Sequence, residues 1–199
     1  PAPGLGWQEA RVLIGFACAG LFGLLWLRRL GSSWEAASVG AVIVETAPFM
    51  RHNWELNLTS ALGWLPMVLW ALDRALVLRR ARDAALLALA QGLLVWSGSP
   101  PAAWFAGTFT ALYAAGRLIE LTRAEGRGAL RPAALTLGLA AVLVAGLCSV
   151  VLLPGLTLAK YSVQAGRSYE SLAEGGLSLR DAPALFWPRD GNHLYVGWV

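Results

Sequence analysis

Six apolar stretches run along this chain, and polar or helix-breaking residues separate them. A helix needs about 20 largely apolar residues to cross a bilayer, with a range of about 17 to 25. The pattern predicts helices in alternating directions, the second interrupted by Glu35 and Glu45 and the third kinked by Pro66. We expect Pro154 to end the last of them. The predicted segments are 10–27, 34–50, 58–78, 84–96, 102–119 and 133–153.

Arginines collect at every second boundary between these stretches. Because Lys and Arg concentrate in the short cytoplasmic loops of membrane proteins, these clusters are expected to share one inner face. The turns between them then face outward. The arginines at predicted inner turns are Arg28, Arg29, Arg74, Arg79, Arg80, Arg82, Arg117, Arg123, Arg127 and Arg131, whereas only Arg11 and Arg51 lie in or beside the short outer segments.

The composition agrees with a membrane protein. The chain is 57% hydrophobic and only 14% charged, with a mean hydropathy of +0.55. Its net charge of +4 does not indicate nucleic-acid binding, because the arginines flank apolar spans and form no polar stripe with interleaved aromatic residues. Cys18 and Cys148 each fall within an apolar span, so we expect neither a disulfide nor a metal site, and no cofactor.

These patterns predict an all-α, polytopic transmembrane helix bundle with about six membrane segments. The small-residue stretches 15–20 and 138–146 would let helices approach closely. Residues 1–154 are expected to form the bundle, and residues 155–199 an outward-facing segment that leads into a missing C-terminal part. A start at Pro1 without Met and an end in the apolar run YVGWV favour a fragment of a longer polypeptide.

Three polar outward turns are the candidate binding regions. The first, 45–57, includes His52, Asn53 and Glu55, and its alternative interpretation is a solvated loop with Trp54 at the interface. The second, 97–104, reads SGSPPAAW and is alternatively a plain helix hairpin. The third, 160–170, places Lys160 and Arg167 where they could bind an anionic phosphate, or simply anchor the chain among lipid headgroups.

One acid and one base lie near the inner end of the third span. Asp73 and Arg74 are adjacent, so they do not face each other on a helix. Both are expected to extend toward the inner membrane surface rather than to mark a proton path.

Three runs carry a family resemblance: RHNWELNLTSALGWLPMVLWALDRAL (51–76), SGSPPAAWF (97–105) and LCSVVLLPGLTLAKYSVQAGRSYESLAEGGLSLRDAPALFWP (147–188). In this order they resemble the bacterial YfhO-type membrane proteins of the GT-C superfamily of polytopic glycosyltransferases. His52 and Asn53 match a polar turn before the family's Trp-Leu-Pro motif. Gly98 and Pro100 match its Gly-His-Pro-Gln turn, in which Ser99 and Pro101 here replace His and Gln. Arg167 matches a basic residue that follows the Leu-Leu-Pro helix end, although the acid expected shortly after that end is absent.

The resemblance implies a GT-C-like fold in the bacterial inner membrane and transfer of a sugar from a polyprenyl-phosphate carrier to an acceptor on the outer face. Arg167 or Lys160 would bind the phosphate, and His52 and Glu55 the acceptor or sugar. The catalytic acid of such enzymes lies in the first outward loop, so we expect it before Pro1.

Two other functions stay open from the sequence. A non-catalytic structural or accessory subunit of a membrane complex is favoured by the replacements at Ser99 and Pro101 and by the missing acid. A transporter is the third, although only Glu45 stands out as a charge at mid-bilayer depth. The expected partners are membrane lipids, a polyprenyl-phosphate-sugar donor or the subunits of such a complex, and no nucleic acid.

Overall fold

Helices build the part of the chain that the structure, a computed structural model, describes: residues 5–46, 57–159 and 161. These residues form seven α-helices and one short 3-10 helix, with no strand among them. The prediction of an all-α chain is confirmed at this level. In chain order the elements are α1 (Leu5–Arg29), α2 (Trp34–Thr46), α3 (Asn57–Gly63), α4 (Leu65–Leu78), α5 (Ala81–Trp96), α6 (Pro100–Glu125), the 3-10 helix Arg127–Ala129 and α7 (Leu130–Ala159).

Three helical stretches are long and apolar enough to cross a membrane: Glu9–Arg29, Ser60–Leu78 and Arg127–Leu158. By contrast, α2 and α5 have 13 and 16 residues, fewer than a straight crossing needs. Helix α6 has 26 residues but carries four charged side chains in its last third. The structure thus supports a membrane protein with three such stretches, and the count of six segments remains a prediction.

Helix α4 forms the centre of the bundle. It packs against α1, α5, α6 and α7, and 61% of the apolar window containing it is buried, against 22% for α1 and 17% for α7. Val68, Ala71, Leu72, Ala75 and Leu76 lie at the middle of the core. Since lipid tails are as apolar as these side chains, close packing rather than escape from water holds helices together inside a bilayer. The exposed faces of α1 and α7 are suited to contact lipid.

The three arginine clusters lie at one end of this bundle, which we call the basic end. Arg29 at the end of α1 and Arg117 near the end of α6 both bind Asp73 in α4. Arg79, directly after α4, binds Glu125 at the end of α6 with an N–O distance of 2.7 Å. This geometry agrees with the predicted grouping of the basic turns. The side of the membrane that this end faces remains a prediction.

The turn between α5 and α6 lies at the other end. Its residues are Ser97, Gly98 and Ser99, here called the serine turn. Arg11, near the start of α1, donates a hydrogen bond from Nη2 to the backbone oxygen of Ser97 over 3.1 Å. The start of α1 and the serine turn are therefore neighbours, as an alternating arrangement of helices requires.

Two prolines behave differently from one another. The kink expected at Pro66 takes the form of a break at Trp64, and Pro66 then occupies the first turn of α4, where no backbone donor is needed. The prediction that Pro154 ends the last helix is wrong, since α7 continues through it to Ala159. Proline removes one backbone donor and crowds the carbonyl four residues earlier, a cost that membrane helices tolerate, and the residues around Pro154 are exposed.

The two small-residue stretches also differ. In the first, Gly15 of α1 touches Gly63 of α3 so closely that a Cβ built on Gly63 would lie 2.5 Å from the Gly15 carbonyl oxygen. In the second, Gly138 and Gly146 have no neighbour within 4 Å of such a Cβ, and Ala140 is the buried residue between them. Close approach is therefore confirmed for 15–20, while most of 138–146 faces away from the bundle.

Candidate functional site

Two of the seven predicted binding residues lie in the described part of the chain. These are Gly98 and Ser99, both in the serine turn. The other five, His52, Asn53, Glu55, Lys160 and Arg167, lie outside the described residues, so their position relative to the serine turn stays a prediction. The catalytic acid expected before Pro1 stays a prediction.

The serine turn stops one helix and starts the next within three residues. Ser97 is buried, and its hydroxyl donates to the Leu94 carbonyl over 2.6 Å, which satisfies an end of α5. Gly98 is exposed and has a φ of 83°, a left-handed conformation that favours glycine. Ser99 is extended, its hydroxyl does not cap α6, and Pro100 fills the first helical position. Gly98 therefore presents an exposed backbone without a side chain of its own.

Neighbouring helices hold this turn in place. Besides the hydrogen bond from Arg11, the Trp96 indole N–H donates to the Leu147 carbonyl of α7 over 3.1 Å. Helices α1, α5 and α7 are thereby joined at this end. Two long side chains therefore fix the position of the turn.

An acidic side chain lies deeper in the bundle. Glu45, in the last turn of α2, rests against Gly20 of α1, where a Cβ would come within 2.6 Å of its Oε2 atom. A helix rises 1.5 Å per residue, so Gly20 lies about 14 Å from the Arg29 end of α1. The carboxylate is half-buried near the middle of the helix length. Ionisable groups at such depth are costly and commonly functional.

The most polar cluster in the described residues was missed by the sequence analysis. At the basic end, Asp73 is 1% exposed and accepts hydrogen bonds from both Arg29 and Arg117, the latter over 2.8 Å from Nε. Arg117 also binds Glu120. The expectation that Asp73 extends to the membrane surface is therefore wrong, because two arginines on other helices hold it inside.

Arg74 differs from Asp73 in that its side chain is 27% exposed. Its guanidinium lies 5.0 Å from the Trp70 ring and binds Oδ1 of Asp83 through Nε and Nη2, over 2.9 and 2.8 Å. Asp83 is 1% exposed, and its other oxygen, Oδ2, is buried without a hydrogen-bond partner among the described residues. The partner of Arg74 is thus a buried acid in the first turn of the next helix, at the basic end, and the expectation that Arg74 extends to the membrane surface stays a prediction.

The contacts of this cluster indicate a structural role, joining the ends of helices, rather than a catalytic one. Each buried acid is neutralised by arginine, and the Trp26 indole donates to the Tyr113 hydroxyl over 3.1 Å to join α1 with α6. Among the described residues no group of three His, Cys, Asp or Glu side chains could hold a metal ion. The serine turn, where Gly98 is exposed, is accordingly the better candidate for binding a ligand.

Comparisons with protein-family models, with curated proteins and with solved structures found no match for this chain. Its function is therefore inferred from its own residues.

Proposed function

We propose that this chain is the membrane-embedded helical part of a GT-C-like glycosyltransferase of the YfhO type. It would lie in the bacterial inner membrane, with the serine turn and residues 155–199 outside. The reaction is transfer of a sugar from a polyprenyl-phosphate carrier to an acceptor at that outer face. The proposal rests on the order of the three resembling runs and on the physical fit of the serine turn to such a donor.

One observation carries most of the weight: the exposed Gly98 backbone lies at the end of the bundle opposite the arginine clusters. A lipid-phosphate donor presents its sugar at headgroup depth and reaches a site only from the side, between helices exposed to lipid. The serine turn lies beside α1 and α7, whose exposed residues are mostly apolar, and this supports the proposal. The site would be completed by His52, Glu55, Lys160 and Arg167. Of these, Lys160 and Arg167 would bind the phosphate.

A substitution at Gly98 tests the proposal with a matched control. In Gly98→Ala a methyl group would enter the substrate path, and we expect turnover of polyprenyl-phosphate-linked sugar to fall at least about tenfold, which corresponds to roughly 1.4 kcal/mol of lost transition-state binding. Gly126→Ala introduces the same residue at nearly the same backbone angle, a φ of 81°, but at the basic end. Each variant places an alanine at a positive φ, a strain of about 1–3 kcal/mol, and Gly126, with a ψ of 177°, lies in a region that glycine almost alone adopts.

The measurement is loss of sugar from the polyprenyl-phosphate carrier in proteoliposomes that contain the complete protein, with a cell extract as the source of acceptor and the amount of folded protein checked for each variant. Equal turnover in the two variants would contradict a substrate site at the serine turn. Absence of turnover in the unsubstituted protein with every polyprenyl-phosphate sugar tested would contradict the proposed reaction itself.

A non-catalytic subunit is the second candidate, and the outward face of α7 favours it. Gly138 and Gly146 are exposed with open space around them, and Val142 between them is 71% exposed. Gly138 and Gly146 lie on the same face, eight residues apart, and small residues on a helix face let another helix approach closely. Gly138→Ile with Gly146→Ile should release a stoichiometric partner on purification if this candidate is right, and should leave sugar turnover unchanged if the first is right.

A further inference from the structure

An open groove lies at the basic end, between the last turns of α6 and the start of α7. Its volume is about 360 Å³. Leu118, Ile119 and Thr122 share one face of α6, because residues three and four apart align on a helix. The Thr122 hydroxyl is already used by the Leu118 carbonyl, at 2.6 Å, which leaves the walls mostly apolar. The groove is lined by Leu118, Ile119, Thr122, Arg123 and Leu130.

The arginine at the edge of the groove is not neutralised within the described residues. The two nearest carboxylates along the helix are occupied elsewhere, since Glu120 binds Arg117 and Glu125 binds Arg79. Arg123 has no ion-pair partner in the described ranges. Positive charge therefore remains beside an apolar groove.

Two more arginines add positive charge between the end of α6 and the start of α7. Arg127 and Arg131 are exposed, and neither has a carboxylate partner in the part of the chain that the structure describes. The candidate membrane span that contains α7 starts at Arg127, so the groove would open where this span meets the headgroup layer. Ile119 and Leu130 are 53% and 40% exposed, which leaves the groove open toward lipid.

We propose that this groove is a binding site for an anionic phospholipid. One acyl chain lies along Leu118, Ile119 and Leu130, and Arg123 binds the phosphate. Arg127 and Arg131 add to the attraction. Basic pockets between membrane helices recognise lipids in this way, and a zwitterionic lipid gains less because its own ammonium group opposes the arginines. The site is independent of sugar transfer, since it lies at the opposite end of the bundle from the serine turn.

Native mass spectrometry of the complete protein, released from nanodiscs of equal parts phosphatidylglycerol and phosphatidylcholine, tests this site. We expect one retained phosphatidylglycerol per chain. Arg123→Gln should lower the association constant for phosphatidylglycerol about fivefold, the effect of one basic residue near an anionic surface. Ile119→Trp should lower it at least as much by filling the groove, with the charge unchanged. Arg80→Gln is the matched control, an exposed arginine at the same end but on the turn before α5.

Four results would overturn the proposal. Equal losses in Arg80→Gln and Arg123→Gln would mean general attraction by the basic end. Equal retention of phosphatidylcholine would show that charge does not select the lipid. An unchanged occupancy in Ile119→Trp would show that the lipid does not lie in the groove. A dimer that Ile119→Trp dissociates would assign the groove to a second copy of the chain. Circular dichroism of each variant shows that the helices are intact.

Discussion

Asp73→Asn is expected to lower the free energy of unfolding by about 3–5 kcal/mol. The substitution keeps the size of the side chain but leaves Arg29 and Arg117, which are 23% and 24% exposed, without the carboxylate that joins them. Losing one partner of a buried ion pair is costly because the remaining charge stays desolvated. The effect should appear in SDS-induced unfolding of the complete protein in mixed micelles, followed by tryptophan fluorescence.

Glu120→Gln is the matched control for this substitution. It also removes one negative charge that faces Arg117, but the Glu120 side chain is 62% exposed, so we expect a change below about 1 kcal/mol. Combining Asp73→Asn with Arg117→Gln should be less harmful than the sum of the two single changes, because the double variant leaves fewer unpaired charges. Similar effects of Asp73→Asn and Glu120→Gln would show that Asp73 does not join the three helices.

Gly63→Ala is expected to be the most damaging addition of a single methyl group. The new Cβ would lie 2.5 Å from the Gly15 oxygen and 2.9 Å from its Cα, both backbone atoms that cannot turn aside. Helices α1 and α3 would have to separate, which we expect to cost about 1–3 kcal/mol as overpacking does elsewhere. The same SDS titration measures the loss.

Gly116→Ala provides the comparison, because a Cβ at this helical position meets nothing within 4 Å. Alanine is the better helix former by up to about 1 kcal/mol, so this variant should be neutral or slightly more stable. If Gly63→Ala were as stable as Gly116→Ala, the close crossing of α1 over α3 would be contradicted.

The helices themselves could largely be predicted from the sequence. Hydropathy identifies long apolar stretches because a bilayer demands them, and the observed helices overlap every predicted segment. Boundaries were less accurate: α6 runs to Glu125 instead of ending at 119, and α7 passes through Pro154. Both differences extend a helix into residues that hydropathy counts as polar or disruptive, although the backbone hydrogen bonds can continue there.

The contacts between helices were not predictable in the same way. Asp73 meets Arg29 and Arg117, each 44 residues away along the chain, and no local spacing encodes such pairs. The sequence did hold one indication of this contact. All three residues lie near the inner ends of their predicted spans, and an acid in an apolar span needs a cation nearby. Of the predicted site, Gly98 and Ser99 lie in a turn as expected, and the assembly of that turn with the other two polar segments stays a prediction.

The alternation of helix ends is tested most directly by labelling single cysteines with a membrane-impermeant maleimide in intact cells. In a background of Cys18→Ala and Cys148→Ala, Ser99→Cys reports on the serine turn and Gly128→Cys on the basic end. We predict that Ser99→Cys is labelled in intact cells and Gly128→Cys only after the membrane is permeabilised. Labelling of both residues from the same side would contradict the alternation, and labelling of Gly128→Cys alone would place the serine turn on the inner face.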